Sequence, residues 1–122
     1  MRHLPLISLC LLAAAPAMAE TGYSCAFTVA CEAAGDCVPA AIEIEIGMGE
    51  DGILAFLEAD ADPLPALSLS EADNSPFTIA TTAPGAESDL ITIHADGTAL
   101  RSRHPANPGS PAITYFGICE ET

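Results

Sequence analysis

Beyond the first 19 residues, apolar side chains recur at every second position in short segments, and Gly, Pro, Asn and Asp separate the segments. A period of two belongs to an extended chain whose successive side chains point to opposite faces, and punctuation of this kind ends strands. The pattern predicts eight strands, over about 22–31, 39–48, 53–59, 65–70, 75–82, 89–95, 98–104 and 111–119. No stretch carries a 3.6-residue apolar stripe long enough for a free-standing helix. The connections are short, which favours antiparallel neighbours over parallel crossovers. The predicted fold class is therefore all-β: a small antiparallel eight-stranded up-and-down barrel, or a barrel-like sandwich, around one core.

Two Asp-Gly pairs suggest where faces lie. A two-residue turn at Asp51-Gly52 sets Ile46 opposite Leu57, Met48 opposite Ala55 and Glu45 opposite Glu58, giving one apolar and one acidic surface. A like turn at Asp96-Gly97 sets Ile93 opposite Leu100 and Ile91 opposite Ser102. It leaves Thr92, His94, Ala99, Arg101 and Arg103 outside. The inner face then collects Phe27, Val29, Ile42, Ile44, Ile46, Leu57, Ile91, Ile93, Leu100, Ile113 and Tyr115, enough to fill a small barrel.

The first residues have the order of a secretory signal: Arg2 and His3, an apolar run from Leu4 to Ala15, then Ala17-Met18-Ala19. The expected division is a signal peptide over 1–19, removed after Ala19, and a single secreted β domain over 20–122. The run is shorter than the roughly 20 residues a membrane span needs, so no membrane insertion is expected after cleavage. Cys10 leaves with the signal. The four remaining cysteines imply two bridges in an oxidising compartment, the periplasm or the cell exterior. Cys25 and Cys31 lie about 20 Å apart along one strand, beyond the ~7 Å a disulfide tolerates, so they cannot pair. Cys31 and Cys37 flank a hairpin mouth and are expected to join. Cys25 and Cys119 can then meet only if the first and last strands are antiparallel neighbours, which closes the sheet. Loop entropy assigns about 2.4 kcal/mol to the local bridge and about 4.7 kcal/mol to the long one.

Charge narrows the function. Residues 20–122 hold 17 acids against Arg101 and Arg103, a formal charge of −15, and no Lys. Such a field repels nucleic acid and favours solubility, and it attracts a basic protein or cations. Bridged cysteines leave no thiolate, the absence of Lys removes Schiff-base chemistry, and no nucleophile elbow, phosphate loop or zinc motif occurs. The expectation is a non-catalytic protein with no catalytic residues, no metal site and no cofactor. His94 and His104, about 16 Å apart along the ladder, are poor co-ligands. The run Glu58-Ala59-Asp60-Ala61-Asp62, with Glu50-Asp51, offers hard oxygen ligands, but it lacks the glycine and bidentate glutamate of a calcium loop and reads as solvated. The most distinctive polar feature is Arg101-Ser102-Arg103-His104. It reads either as a partner or anion contact by Arg101, Arg103 and His94 on the outer face, or as ion pairs with outward acids such as Glu43 and Glu45.

Tyr23-Ser24-Cys25 at the start, an all-strand body and Cys119 in the last strand resemble the membrane-bound inhibitors of C-type lysozyme. That resemblance implies a small secreted eight-stranded barrel whose end strands are joined by a disulfide. The family's Ser-Gly-x-x-Tyr loop with its following Lys has no counterpart here. The ending Thr114-Tyr115-Phe116-Gly117-Ile118-Cys119-Glu120 also resembles small secreted proteins of Gram-negative bacteria. The functional expectation is a protein- or ligand-binding module. The alternatives are a periplasmic inhibitor of a basic hydrolase such as lysozyme and, more distantly, a small hydrolase.

Overall fold

A computed structural model describes residues 22–33, 35–48, 54–58, 61–70, 76–82 and 87–122. Eight strands follow one another: β1 (Tyr23–Glu32), β2 (Cys37–Met48), β3 (Leu54–Glu58), β4 (Leu64–Ser68), β5 (Phe77–Thr82), β6 (Ser88–Ile93), β7 (Thr98–His104) and β8 (Ile113–Glu121). Each pairs antiparallel with the next, and β8 returns to pair with β1, so the sheet is a closed up-and-down barrel. The lower rim is where β1 begins and the upper rim where it ends.

Closure is stitched covalently. Cys25 and Cys119 stand directly opposite each other in the β1–β8 ladder, their Cα atoms 4.0 Å apart, and are disulfide-bonded. Cys31 and Cys37, likewise opposite across the β1–β2 hairpin, form the second bridge. Both pairings match the sequence expectation. The long bridge is nearly inaccessible, with Cys25 and Cys119 at 2% and 5% exposure.

The core gathers Phe27, Ile44, Ile46, Phe56, Ile79, Ile91, Ile93, Ala99 and Tyr115 around this bridge. A fully buried Ile or Phe contributes about 1.5–3 kcal/mol relative to exposure. Phe27 meets Tyr115 edge to face with ring centroids 6.5 Å apart, and Tyr23 stacks on Phe77 at 5.4 Å near the lower rim.

Three sequence expectations about faces are corrected. Ile46 pairs with Phe56 and Glu45 with Leu57, one residue away from the register a two-residue turn requires. Phe56 is therefore inside and Leu57 outside, which buries the larger side chain; the turn at Asp51-Gly52 itself lies outside the described residues. In the β6–β7 hairpin, Ile93 pairs with Ala99 and Ile91 with Arg101. The loop holds three residues, Ala95 to Gly97, closed by a hydrogen bond from His94 N to Thr98 O of 2.9 Å. Gly97 takes the left-handed conformation, φ +89°, that such a loop needs at its last position. The side chain of Asp96 accepts from Thr98 N at 2.9 Å and from Thr98 Oγ1 at 2.7 Å. A slip of one residue exchanges every face of a strand, so Ala99, Arg101 and Arg103 turn inward and Leu100 outward. Finally, a bulge between Phe27 and Val29 shifts the parity of β1, leaving Val29 36% exposed.

Candidate functional site

The polar chemistry of the described residues concentrates inside the upper third of the barrel. Along β6, Asp89 has the parity of Ile91 and Ile93 and so points inward, where it is 6% exposed. It would be an isolated buried carboxylate without a cation beside it. Arg101 supplies one from the neighbouring strand: its Nη2 donates to Asp89 Oδ2 at 2.9 Å and to Glu58 Oε2, on β3 across the barrel, at 3.2 Å. Arg103, one inward step nearer the rim, donates from Nε to Asp89 Oδ1 at 3.1 Å and lies 3.2 Å from Glu87. Its Nη2 reaches Glu58 at 3.4 Å. The two arginines thus hold both oxygens of Asp89 and cross-link β3, β6 and β7.

Arg101 is wholly buried, at 0% exposure, and is the largest fully buried side chain among the described residues. Its guanidinium carbon lies 5.0 Å from the Phe56 ring centre and 5.6 Å from that of Tyr115, so aromatic quadrupoles supplement the carboxylates. Among the described residues, its Nε and Nη1 have no hydrogen-bond partner. Two unpaired donors on a desolvated cation are costly, and the carboxylates and rings act against that cost.

Electrostatics follow from this packing. Burial pushes the Asp89 carboxyl up, but the hydrogen bonds and positive charge of Arg101 and Arg103 outweigh it and hold Asp89 below the ordinary carboxylate range. For Arg103, burial works against the charged form, yet Asp89, Glu87 and Glu58 prevail and raise it. Asp89 and Arg103 are each held in the charged form, which suits an internal brace.

The predicted trio of contact residues does not assemble. Arg101 is buried inside, Arg103 lines the upper mouth, and His94 is exposed near the lower rim after the end of β6. The arginines' ion partners are Asp89 and Glu58 inside and Glu87 at the upper rim, not the outward Glu43 and Glu45. His104 is exposed at the end of β7. Glu58 from the acidic run is held by the arginines, Asp62 is exposed, and Asp60 lies outside the described residues. No group of three or more His, Cys, Asp or Glu placed to hold a metal occurs among the described residues.

One signal in the sequence pointed to the cluster. Asp89 shares parity with Ile91 and Ile93, and a carboxylate on an apolar face calls for a cation beside it; downstream of the signal segment only Arg101 and Arg103 are available.

With the arginines turned inward, full charges pointing out from the described wall and rims are all carboxylates. Glu43 and Glu45 project from β2, Glu32, Asp36, Asp62 and Glu87 stand at the upper rim, and Asp96, Glu120 and Glu121 at the lower. The disulfides mark a non-cytosolic, oxidising location. No family model, no curated protein and no solved structure matches the chain.

Proposed function

We propose that this barrel is a non-catalytic binding module of the periplasm or cell exterior, and that it engages a basic protein through its acidic β2 face and rims. The observation that carries the reading is the inward turn of Arg101, wholly buried, and Arg103, 19% exposed, which takes both cations off the outer face of a chain whose formal charge over residues 20–122, arginines included, is −15. A single-signed surface raises encounter rates with an oppositely charged partner and makes binding fall as salt rises. The signal-like segment over 1–19 supports export. The narrower reading, an inhibitor of a basic hydrolase such as lysozyme, is favoured by Tyr23-Ser24-Cys25 and Cys119.

The test is affinity capture from a periplasmic extract at low and moderate salt, with a basic C-type lysozyme as a defined probe. Binding at about 50 mM salt that weakens at least tenfold by about 300 mM supports the module. Retention of no basic protein at low salt overturns it. Micromolar protein that leaves lysozyme activity unchanged removes the inhibitor reading alone.

A further inference from the structure

The two disulfides stand in opposite environments. Cys25 and Cys119 face the core, whereas Cys31 is half-buried and Cys37 exposed. The β1 bulge makes the difference. Before it, Cys25 and Phe27 point inward, and unbroken alternation would carry Cys31 inward with them. After it, Ala30 packs on the core, so Val29 and Cys31 turn outward. Cys31 then lies opposite Thr114, which has the outward parity of Phe116 and Ile118, and opposite Cys37, which has that of Pro39. Bulges recur where a strand must re-aim a side chain, and here the side chain re-aimed belongs to a disulfide.

The outward bridge is also structurally redundant. Glu32 N donates to Asp36 O at 3.0 Å and Gly35 N to Glu32 O at 2.9 Å, so backbone bonds close the hairpin mouth beside it. Gly35 makes the turn in the left-handed conformation, φ +88°. The pairs Ala30↔Val38 and Val29↔Pro39 continue the ladder below. The bridge spans a sequence separation of only 6, so opening it releases little chain entropy.

We propose that the Cys31–Cys37 bridge is a thiol–disulfide exchange site and that its preferred reactant is a positively charged thiol. The attacking thiolate bonds to Cys37 Sγ, the more exposed sulfur, and forms a mixed disulfide. The bond to Cys31 breaks, its electron pair leaves on the Cys31 sulfur, and that sulfur takes a proton from water. A second thiol resolves the mixed disulfide, so two thiols are oxidised to a disulfide while the bridge is reduced to two cysteines. Charge selects the reactant. Glu32 directly follows Cys31 and Asp36 directly precedes Cys37, both exposed, and the arginines are held by Asp89, Glu58 and Glu87 instead. These carboxylates attract a cationic thiol and repel an anionic one. They also repel the departing Cys31 thiolate, which slows every reactant alike and leaves their ranking intact.

The test treats the oxidised domain over residues 20–122 with cysteamine, 2-mercaptoethanol or 3-mercaptopropionate, alkylates the opened cysteines and locates them by peptide mapping. Rates are taken per thiolate and relative to a neutral small disulfide, which cancels intrinsic nucleophilicity. Cys31–Cys37 should open at least about 100-fold faster than Cys25–Cys119, with the β circular dichroism of the barrel retained. Cysteamine should outpace 3-mercaptopropionate about tenfold at about 20 mM salt, and the gap should close to about threefold or less at about 500 mM. Replacing both flanking acids, Glu32→Gln with Asp36→Asn, should cut the low-salt preference at least about twofold. Both bridges opening together, or Cys25–Cys119 opening first, overturns the exchange site. Equal rates for the cationic and anionic thiols at low salt, or a preference that the double variant leaves unmoved, overturns the selection by charge.

Discussion

Removing the Asp89 carboxylate while keeping its shape, as Asp89→Asn, probes the internal brace most directly. Arg101 has no exposure and bonds Asp89 at 2.9 Å; its remaining carboxylate, Glu58, is 3.2 Å away and 32% exposed. Breaking a buried ion pair by deleting one partner costs about 3–5 kcal/mol, because the surviving charge stays desolvated. Glu58 compensates in part, so the expected loss is near the lower limit, about 3 kcal/mol. At about 4–8 °C per kcal/mol for a domain near 100 residues, the melting temperature falls by roughly 12 °C or more. Arg101→Met behaves differently. It removes the cation together with its two unpartnered donors, retains most of the volume between Phe56 and Tyr115, and leaves Asp89 bonded to Arg103 at 3.1 Å. The expected cost is about 1 kcal/mol, since apolar replacement of a buried pair is often neutral. The double variant should then be more stable than Asp89→Asn alone, with a coupling energy of about 2 kcal/mol. Urea unfolding of the four oxidised proteins, followed by circular dichroism, supplies the cycle. A double variant less stable than Asp89→Asn, or an Asp89→Asn loss below about 1 kcal/mol, refutes the brace.

Cys119→Ser should lower the melting temperature more than Cys37→Ser, because the bridges close loops of sequence separation 94 and 6, about 4.7 against about 2.4 kcal/mol; equal or reversed losses count against a covalent seam. Gly117→Ala should be more damaging than an ordinary strand substitution, since a Cβ there would run into the carbonyl of Ala26 and the backbone of Phe27 beside the β1 bulge; unchanged urea unfolding would show that the seam is looser than described. Gly97→Ala should cost about 1–2 kcal/mol from its positive φ alone, and its Cβ would also lie 3.0 Å from the Cys119 carbonyl; wild-type stability would argue against the three-residue loop. Asp89 is depressed in the folded state, so its stabilisation is present above the unfolded carboxyl range and lost as pH falls through the folded value. The stability gap between wild type and Asp89→Asn should therefore be constant near neutrality and shrink below about pH 4; a gap independent of pH would mean the carboxylate is not the stabilising species.

The strand count, the antiparallel order, both bridges and the closure were legible because each rests on robust signals. Period-two alternation marked the strands, and the impossibility of pairing Cys25 with Cys31 left a partner for Cys119 at the seam. The faces of β3 and β7 were not legible, because register depends on loop length and a slip of one residue inverts a strand. Asp96-Gly97 reads as a two-residue turn, but Ala95 joins the loop, Gly97 takes its left-handed position and Asp96 caps Thr98. Leu100 also misled: as the largest apolar residue of β7 it claims the core, yet it is only half-buried and faces outward. Ala99, with Arg101 and Arg103 in step, takes the inner side instead, because Asp89 waits there. Val29 fell to the bulge, which alternation alone does not reveal.

The pairing of β8 with β1 has a further effect on how other molecules can engage the protein. An open sheet offers unpaired amides and carbonyls at its borders, and an incoming peptide can dock there as one more strand. Here the last ladder uses up those groups from Tyr23↔Glu121 to Glu32↔Ile113. Along this seam, recognition must therefore pass through side chains, and the same pairing denies neighbouring molecules a template for fibrous growth there.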